Sequence, residues 1–305
     1  MNEKLSYHFG EENKLEADSF WHSAFTFTGS VGPIIAPRLL GFVAWAIAID
    51  IVDHLFYELP DWSLAPTEIF GAALGIILVF RTNAGYDRWW EARKVWGGIV
   101  NQSRNLAIAA FTYGPPDQAW RSMFASLVAA FPYATRNTLR DNKNFEDIHR
   151  ILGSNGETFQ HLPNILAAKL GKLLAEAQET SRITPMAFLS IEQERKKLIN
   201  YIGMCERIKK TPMPFAYAVE VRRLLFAFLM LAPLAIVGTA GIHAPLIMLL
   251  AAYPLLALDQ IGRELQQPFC KTAISHLPLD SICHTIESNI KELYEKTESL
   301  NNIDK

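Results

Sequence analysis

Lysine and arginine are absent from two long apolar stretches of the chain. Residues 39–80 and 224–262 contain neither, over 42 and 39 residues. One helical membrane span needs about 20 apolar residues, so each stretch has the length of two spans joined by a tight turn. The pattern of apolar and basic positions therefore predicts two membrane hairpins.

The first hairpin is predicted to descend over Leu39–Tyr57, to turn at Glu58–Ser63 and to return from Pro66. Proline is favoured in the first turn of a helix. No proline follows before residue 97, so the second helix is not obliged to stop at Phe80, where charged residues begin. The sequence predicts that this helix begins in hydrocarbon and ends in water.

The second hairpin is predicted to have spans at 224–237 and 246–258, joined by a turn at 238–245. Both turns lack basic residues, whereas the other connections carry them. The positive-inside rule then places both termini on the cytoplasmic side. The fold class is predicted to be all-α, organised as an N-terminal arm, a first hairpin, a helical cytoplasmic region, a second hairpin and a tail: 1–38, 39–96, 97–212, 213–262 and 263–305. The end of the tail, Glu287–Lys305, is expected to be solvated.

Composition narrows the classes of function. The 305-residue chain is 50% hydrophobic and has a formal net charge of −2 at pH 7. A nucleic-acid-binding protein is normally basic, so no nucleic-acid partner is expected. The sequence contains no glycine-rich phosphate loop, no nucleophile elbow and no close-knit zinc-ligand spacing, and it predicts neither an enzyme nor a cofactor or metal site.

Three apolar residues of the second span lie four apart and therefore share one stripe of the helix: Ala72, Ile76 and Phe80. A packing surface is the ordinary explanation of such a stripe. The functional alternative is a ring of apolar side chains around a symmetric pore, which gates by dewetting. Further along the helix a polar vestibule is predicted, formed by Asn83, Asp87 and Glu91.

Ionisable residues cluster on the first span, where Asp50, Asp53 and His54 share a face. Ionisable groups within a span are functional candidates, and these could bind a cation or relay a proton. The alternative is mutual pairing at the outer headgroup level. The whole hairpin has five acids and no lysine or arginine, namely Asp50, Asp53, Glu58, Asp61 and Glu68. If it lines an entrance, its field favours cations.

Basic and aromatic residues alternate where the second helix leaves the membrane. Arg81, Arg88, Glu91 and Arg93 surround Trp89 and Trp90. We interpret this cluster as structural, because arginine stacking on tryptophan and Glu–Arg pairing stiffen a helix.

Several of these segments resemble the bestrophin family, particularly its bacterial branch. Phe80–Gly97 is similar to the signature of the family's second span. Cys205–Ile208 and Thr211–Tyr217 are similar to its entry to the third span. Gln267–Phe269 and Leu277–Cys283 are similar to its stretch after the fourth span. The resemblance extends over nearly the whole chain.

The resemblance implies a homopentameric ion channel in the bacterial inner membrane, with four spans per protomer around one axial pore. The family's hydrophobic neck falls here on Ala72, Ile76 and Phe80. Larger residues are usual at the position of Ala72, so the outer neck is expected to be wider. A second, cytoplasmic constriction is implied within Pro185–Lys197, with Ile191 as the candidate residue.

The resemblance also bears on regulation and selectivity. Animal members carry a calcium clasp of consecutive acids, whereas the corresponding segment Cys270–His276 has no carboxylate, so calcium activation is not expected. Bacterial relatives conduct cations and animal members conduct anions, and the acidic first hairpin agrees with the former. A channel for monovalent cations is therefore predicted. An anion channel of the same architecture stays open as an alternative, as does a proton-coupled transporter or membrane enzyme that uses Asp50, Asp53 and His54.

Overall fold

A computed structural model describes residues 25–27, 29–56, 59–60, 62–153 and 161–303. Regular secondary structure in these ranges is helical throughout, which confirms the predicted all-α class. The helices are α1 Gly32–Leu55, α2 Ala65–Tyr113, α3 Gln118–Leu139, α4 Glu146–Leu152, α5 Leu162–Glu179, α6 Pro185–Lys210, α7 Phe215–Ala240, α8 Ala244–Glu264 and α9 Leu279–Ile303.

Within the described residues, three segments are long and apolar enough to cross a membrane: 32–55, 65–113 and 215–264. The third is interrupted by a short 3-10 turn at Gly241–His243. Gly241 has a φ of +51°, a value that a glycine adopts readily because it lacks a Cβ. The interruption divides this segment into α7 and α8, which pack against each other and against α1 and α2. The four predicted spans thus correspond to α1, the first part of α2, α7 and α8.

The two ends of this four-helix layer are marked by close contacts. At one end, Cε1 of His54 lies 4.0 Å from the place where a Cβ on Gly241 would stand, so the two hairpin turns are neighbours. Towards the other end, a Cβ on Gly85 would stand 3.0 Å from the carbonyl oxygen of Gly262. Only glycine lets the backbones of α2 and α8 approach this closely, as small residues do at membrane helix contacts.

Buried apolar side chains form two separate clusters. The membrane cluster joins α1, α2, α7 and α8 and includes Ile35, Leu74, Leu78, Leu229 and Met248. The second cluster joins the distal part of α2 to α3, α5, α6 and α9 and includes Trp96, Phe124, Phe131, Leu170 and Ile286. Because α2 contributes to both clusters, it connects the two layers of the protein.

Helix α2 is continuous over 49 residues, from Ala65 to Tyr113. At a rise of about 1.5 Å per residue it is about 70 Å long. The prediction that this helix does not stop at Phe80 is confirmed. The boundary expected at residue 97 falls inside the helix, so the first hairpin and the helical region share one rigid element.

The expected solvation of the chain from Glu287 is wrong in part, because the segment belongs to the amphipathic helix α9. Within it Ile290 is 1% exposed and packs in the second cluster, and the partly buried Leu293 and Tyr294 pack against that cluster. Hydrogen bonds from α3 and α4 also hold the polar side of α9. Arg150 Nη1 donates to Glu287 Oε1 at 2.6 Å, and the Tyr133 hydroxyl donates to Glu287 Oε2 at 2.6 Å.

This attachment of α9 is expected to weaken in acid. The hydrogen bond from Arg150 lowers the pKa of Glu287, against a smaller rise from burial and with a further lowering by Tyr133. The unfolded value is about 4.3. Because the folded pKa lies below it, the stabilisation is complete above that value and is lost as the pH falls through the folded pKa. Arg150 is 55% exposed, and such pairs contribute at most about 1 kcal/mol.

Melting temperatures of the protein and of Glu287→Gln measure this effect. The difference in melting temperature between the two proteins should shrink towards zero as the pH is lowered from about 6 to about 3. The matched control is Glu292→Gln, which removes an exposed charge from the same helix and should change little at either pH. A difference that stays constant through the acidic range would show that the Glu287 carboxylate does not hold α9.

Candidate functional site

One face of α2 carries exposed residues in the protomer over most of the helix, and it is interrupted where Glu91 pairs with Arg207 and Gly98 lies against Tyr201, both of α6. In the membrane part, Ile76 is 59% and Phe80 is 65% exposed, and Ala72 is exposed as well. Leu74 and Leu78, on the opposite side of the helix, are fully buried. The predicted neck residues therefore share a surface that the protomer itself does not cover. Their assignment to a neck remains a prediction.

The predicted vestibule residues lie further along this face, and they differ in how exposed they are to solvent. Asn83 and Asp87 are exposed, whereas Glu91 is partly buried. Glu91 Oε1 accepts a hydrogen bond from Arg207 Nη2 of α6 at 2.7 Å. The carboxylate of Glu91 is thus neutralised by another helix, and Asp87 is the predicted vestibule acid that stays exposed.

Basic residues occupy the same face further along, a feature that the sequence analysis did not identify. Residues seven apart lie on one side of a helix. Counting from Asp87, this spacing reaches Lys94 and Asn101. Counting from Asn83, three such steps reach Arg104, which is rotated by about 60° around the axis because each step drifts by about 20°. All three side chains are exposed. The exposed face of α2 therefore passes from apolar through polar to basic. The seven-residue repeat was the signal that would have revealed it.

A buried ion pair lies directly beside the predicted neck. Arg81 is 2% and Asp259 is 3% exposed, and Arg81 Nη1 donates to Asp259 Oδ1. Arg222 Nε of α7 lies 3.8 Å from the other oxygen of the same carboxylate. The pair fixes the register of α2 against α8 next to Phe80. Sequence reasoning missed it because Arg81 and Asp259 are 178 positions apart.

The residues after the ion pair anchor α2 to the segment that follows α8. Arg88 Nε donates to the carbonyl oxygen of Gln266 at 2.9 Å, and Trp89 Nε1 donates to that of Ser275 at 2.7 Å. The interpretation of this cluster as structural agrees with these contacts, but the partner of Arg81 is the carboxylate of Asp259 and not a tryptophan. These side chains stiffen the exit of the helix through contacts to other parts of the chain.

The ionisable residues of α1 are brought together at the end next to the hairpin turns. His54 Nδ1 lies 3.4 Å from Asp50 Oδ1 and 3.9 Å from Asp53 Oδ2. Asp53 Oδ1 also accepts from the backbone N–H of Leu59 at 2.8 Å. The hydrogen bond of His54 Nδ1 is to the backbone carbonyl oxygen of Asp50, at 3.1 Å, and Asp50 Oδ1 makes no hydrogen bond with a described residue. Asp53 thus holds the turn, whereas the carboxylate of Asp50 is not satisfied within the cluster. Of the other predicted entrance acids, Glu68 is exposed, and Glu58 and Asp61 lie outside the described residues.

Ile191 cannot line the second constriction, so this prediction is wrong. The side chain is 0% exposed and packs in the second cluster. It belongs to the buried face of α6, together with Leu198, Ile202, Cys205 and Ile208. The exposed apolar side chains of Pro185–Lys197 are those of Met186, at 77%, and Leu189, at 52%.

Metal-ligating side chains do not gather elsewhere in the part of the chain that the structure describes. There, no group of three or more His, Cys, Asp or Glu residues could hold a metal ion. The three cysteines are free thiols, and those of Cys205 and Cys283 are buried. The exposed face of α2 is therefore the feature with the clearest functional character.

The chain resembles known proteins over most of its length, both in sequence and in structure. Residues 13–292 match the family described as bacterial and fungal bestrophin protein. A voltage-dependent anion channel-forming protein of Mesorhizobium japonicum is 31% identical over 278 residues, which is 90% of this chain and 89% of the relative. The YneE protein of Escherichia coli K12, which carries the same description, is 34% identical over 284 residues, 90% of this chain and 91% of the relative.

The fold is also that of a solved structure. The crystal structure of a bacterial bestrophin homologue from Klebsiella pneumoniae superimposes with a TM-score of 0.78 at 28% identity. The match covers 86% of this chain and 98% of that one. The similarity thus includes both the membrane layer and the second, water-facing layer.

Proposed function

Because the chain belongs to the bacterial and fungal bestrophin family of ion channels, we propose that it conducts anions across the bacterial cytoplasmic membrane. The observation that carries this proposal is the exposed face of α2, which leads from the apolar Ile76 and Phe80 to the basic Lys94 and Arg104. The description of the Mesorhizobium and Escherichia relatives as anion channel-forming proteins supports the same ion class.

The expectation of cation conduction is not retained. The descriptions of these relatives contradict it, and its basis in the sequence was the acidic first hairpin. In the structure, the Asp53 carboxylate accepts from the backbone N–H of Leu59 and so has a structural role in the turn. The anion channel that the sequence left as an alternative takes the place of the cation channel.

The pore is proposed to form on the axis of a homopentamer. A single protomer leaves the α2 face open over most of its length, and five copies would turn these faces towards one axis. Phe80 and Ile76 would form the narrow part of the neck, and Ala72 a wider outer part. The distribution of basic residues supports the proposal that the Tyr113 end of α2 and both termini lie in the cytoplasm.

Selectivity in this arrangement comes from charge and dehydration. An apolar neck coordinates no ion. The ions that pass through it are those that lose their hydration water more readily and those that are more concentrated at the entrance to the neck. Lys94 and Arg104 supply two positive charges per protomer beyond the neck, against the exposed carboxylate of Asp87. Repeated around an axis, these charges raise the local concentration of anions.

Bi-ionic measurements on the full-length protein in planar bilayers test the proposal. Under a sodium chloride gradient, the reversal potential should move towards the chloride equilibrium potential. Replacing sodium by a large organic cation should leave the inward and outward currents nearly unchanged. A reversal potential that follows sodium would overturn anion selection.

The same recordings separate a channel from a proton-coupled transporter or enzyme. The triple variant Asp50→Asn, Asp53→Asn, His54→Gln removes the ionisable cluster of α1 while keeping side chains of similar size. A channel whose pore is the α2 face should keep its ohmic anion current. Loss of current in a folded triple variant would favour the transporter.

Neutralising the basic part of the α2 face should reduce anion preference. The variant Lys94→Gln/Arg104→Gln is expected to lower the chloride-to-sodium permeability ratio about three-fold at low salt, and less at high salt, where screening is stronger. Lys143→Gln/Arg223→Gln removes the same charge at exposed positions away from this face and serves as the control. An unchanged ratio in the first variant would show that the face does not line the pathway.

A further inference from the structure

A groove separate from the α2 face opens between α1, α7 and α8. Its volume is about 360 Å³, and its lining is Arg38, Phe42, Arg222, Leu225, Phe226, Leu229, Leu256, Asp259 and Arg263. It lies at the end of the membrane helices that is remote from the hairpin turns, since Asp259 and Arg263 follow Leu256 at the end of α8. The proposed conduction pathway does not use it.

The polar end of the groove has an excess of positive charge. Three guanidinium groups, those of Arg38, Arg222 and Arg263, face a single carboxylate, that of Asp259. This carboxylate already pairs with the buried Arg81, and Arg222 approaches it only to 3.8 Å. The side chains of Arg38 and Arg263 make no hydrogen bond or ion pair with any residue that the structure describes. Among the described residues, the guanidinium groups of Arg38 and Arg263 therefore have no anionic partner.

The remaining wall of the groove is apolar and continues towards the hydrocarbon layer. Phe42 and Phe226 meet edge to face with ring centroids 6.1 Å apart, and Phe226 is 59% exposed. Leu229 and Leu256 form the floor and are buried. A soluble anion would gain nothing from this wall, whereas an acyl chain would bury its surface against it.

We propose that this groove binds an anionic phospholipid of the cytoplasmic leaflet. The phosphate lies among the guanidinium groups of Arg38, Arg222 and Arg263, and an acyl chain packs along Phe42 and Phe226. Basic pockets between membrane helices on the cytoplasmic side recognise lipid head groups in this way. Because Arg222 and the phosphate would both adjoin the Arg81–Asp259 pair, the bound lipid also supports the helix contact beside the neck.

Native mass spectrometry of the full-length protein tests this site. Phosphatidylglycerol and phosphatidylcholine are titrated in parallel into the protein in detergent. The protein should retain phosphatidylglycerol in preference. The variant Arg38→Gln/Arg263→Gln is expected to bind phosphatidylglycerol about five-fold or more weakly. It should fold normally, because neither side chain makes a hydrogen bond or an ion pair with a described residue, and its melting temperature checks this directly.

A charge-matched variant controls for general attraction to anions. Arg223→Gln/Lys210→Gln also removes two positive charges, from exposed positions outside the groove, and should bind phosphatidylglycerol as the unaltered protein does. An equal loss in both variants, or no loss in the first, would overturn the proposal. So would displacement of the lipid by excess inorganic phosphate, which would identify a site for free phosphate.

The oligomeric state is read from the same spectra. If Arg38→Gln/Arg263→Gln changed the number of protomers and left phosphatidylglycerol binding intact, the groove would face a second copy of the chain, and the lipid site would be refuted. Failure of the lipid site has no bearing on ion selectivity, because that rests on α2 residues outside the groove.

Discussion

Replacing Asp259 with alanine is expected to destabilise the protein by about 3–5 kcal/mol, because it leaves the guanidinium group of Arg81 buried without its partner. Arg81 is 2% exposed and Asp259 is 3% exposed, so water cannot take over the lost interaction. Arg222 cannot replace the carboxylate, since it carries the same charge as Arg81. The loss should appear as a large fall in melting temperature.

A double variant separates the buried charge from the packing. Arg81→Met/Asp259→Leu removes both charges and keeps most of the side-chain volume, and apolar replacements of buried ion pairs are often close to neutral. It should therefore recover much of the stability that Asp259→Ala loses. Glu220→Ala, which removes an exposed partner of Arg223, is the control and should change stability by at most about 1 kcal/mol.

Two other results would change the explanation of how Arg81 and Asp259 hold α2 against α8. A double variant as unstable as Asp259→Ala would show that the ion pair itself, with its specific geometry, holds α2 against α8. An Asp259→Ala protein with an unchanged melting temperature would show that Arg81 is reached by water or by another anion. Either outcome can be measured without knowing which ion the channel conducts.

Truncating the predicted neck is expected to raise the current by ten-fold or more, since removal of about 1.4 kcal/mol from a barrier changes a rate about ten-fold. Phe80 and Ile76 present large apolar surfaces on the open face of α2, at 65% and 59% exposure. Apolar constrictions close by dewetting, and a wider, less bulky ring stays hydrated. Ile76→Ala/Phe80→Ala should therefore increase conductance, open probability or both in planar bilayers.

Val79→Ala provides the matched control. Val79 is adjacent to Phe80 in sequence and 48% exposed, but it lies about 100° around the helix from Phe80 and about 60° from Ile76. Its truncation should leave the current nearly unchanged. Similar currents from the double variant and the unaltered protein would mean that this stripe contacts lipid or a neighbouring helix and not the pore.

Global features of the fold followed from patterns that are local in the sequence. The gaps without lysine or arginine identified both hairpins, because a charged side chain is costly in hydrocarbon wherever it occurs. The continuity of α2 beyond Phe80 could be predicted because no proline follows Pro66 before residue 97. Each of these predictions uses a single continuous stretch of the sequence.

The errors concern contacts between distant parts of the chain or the choice of a helix face. Arg81 was assigned to neighbouring tryptophans, whereas its partner is Asp259 on another helix. Ile191 was chosen by its place in a segment, although its seven-residue spacing to Leu198 marked it as part of a buried stripe. The charged tail hid an amphipathic face because its apolar residues, such as Ile286 and Ile290, are sparse.

Helix α2 is held at Arg81, Gly85, Arg88 and Trp89 by α8 and the segment after it, and it is also packed in an apolar cluster on each side of this stretch. Ile76 lies about 13 Å along the axis from Gly85 on one side, and Tyr113 lies about 42 Å from it on the other. Because the longer part is packed against α3, α5, α6 and α9, a tilt of α2 would have to carry these helices with it. Any change in the width of the predicted neck by tilting would therefore be a movement of both layers together.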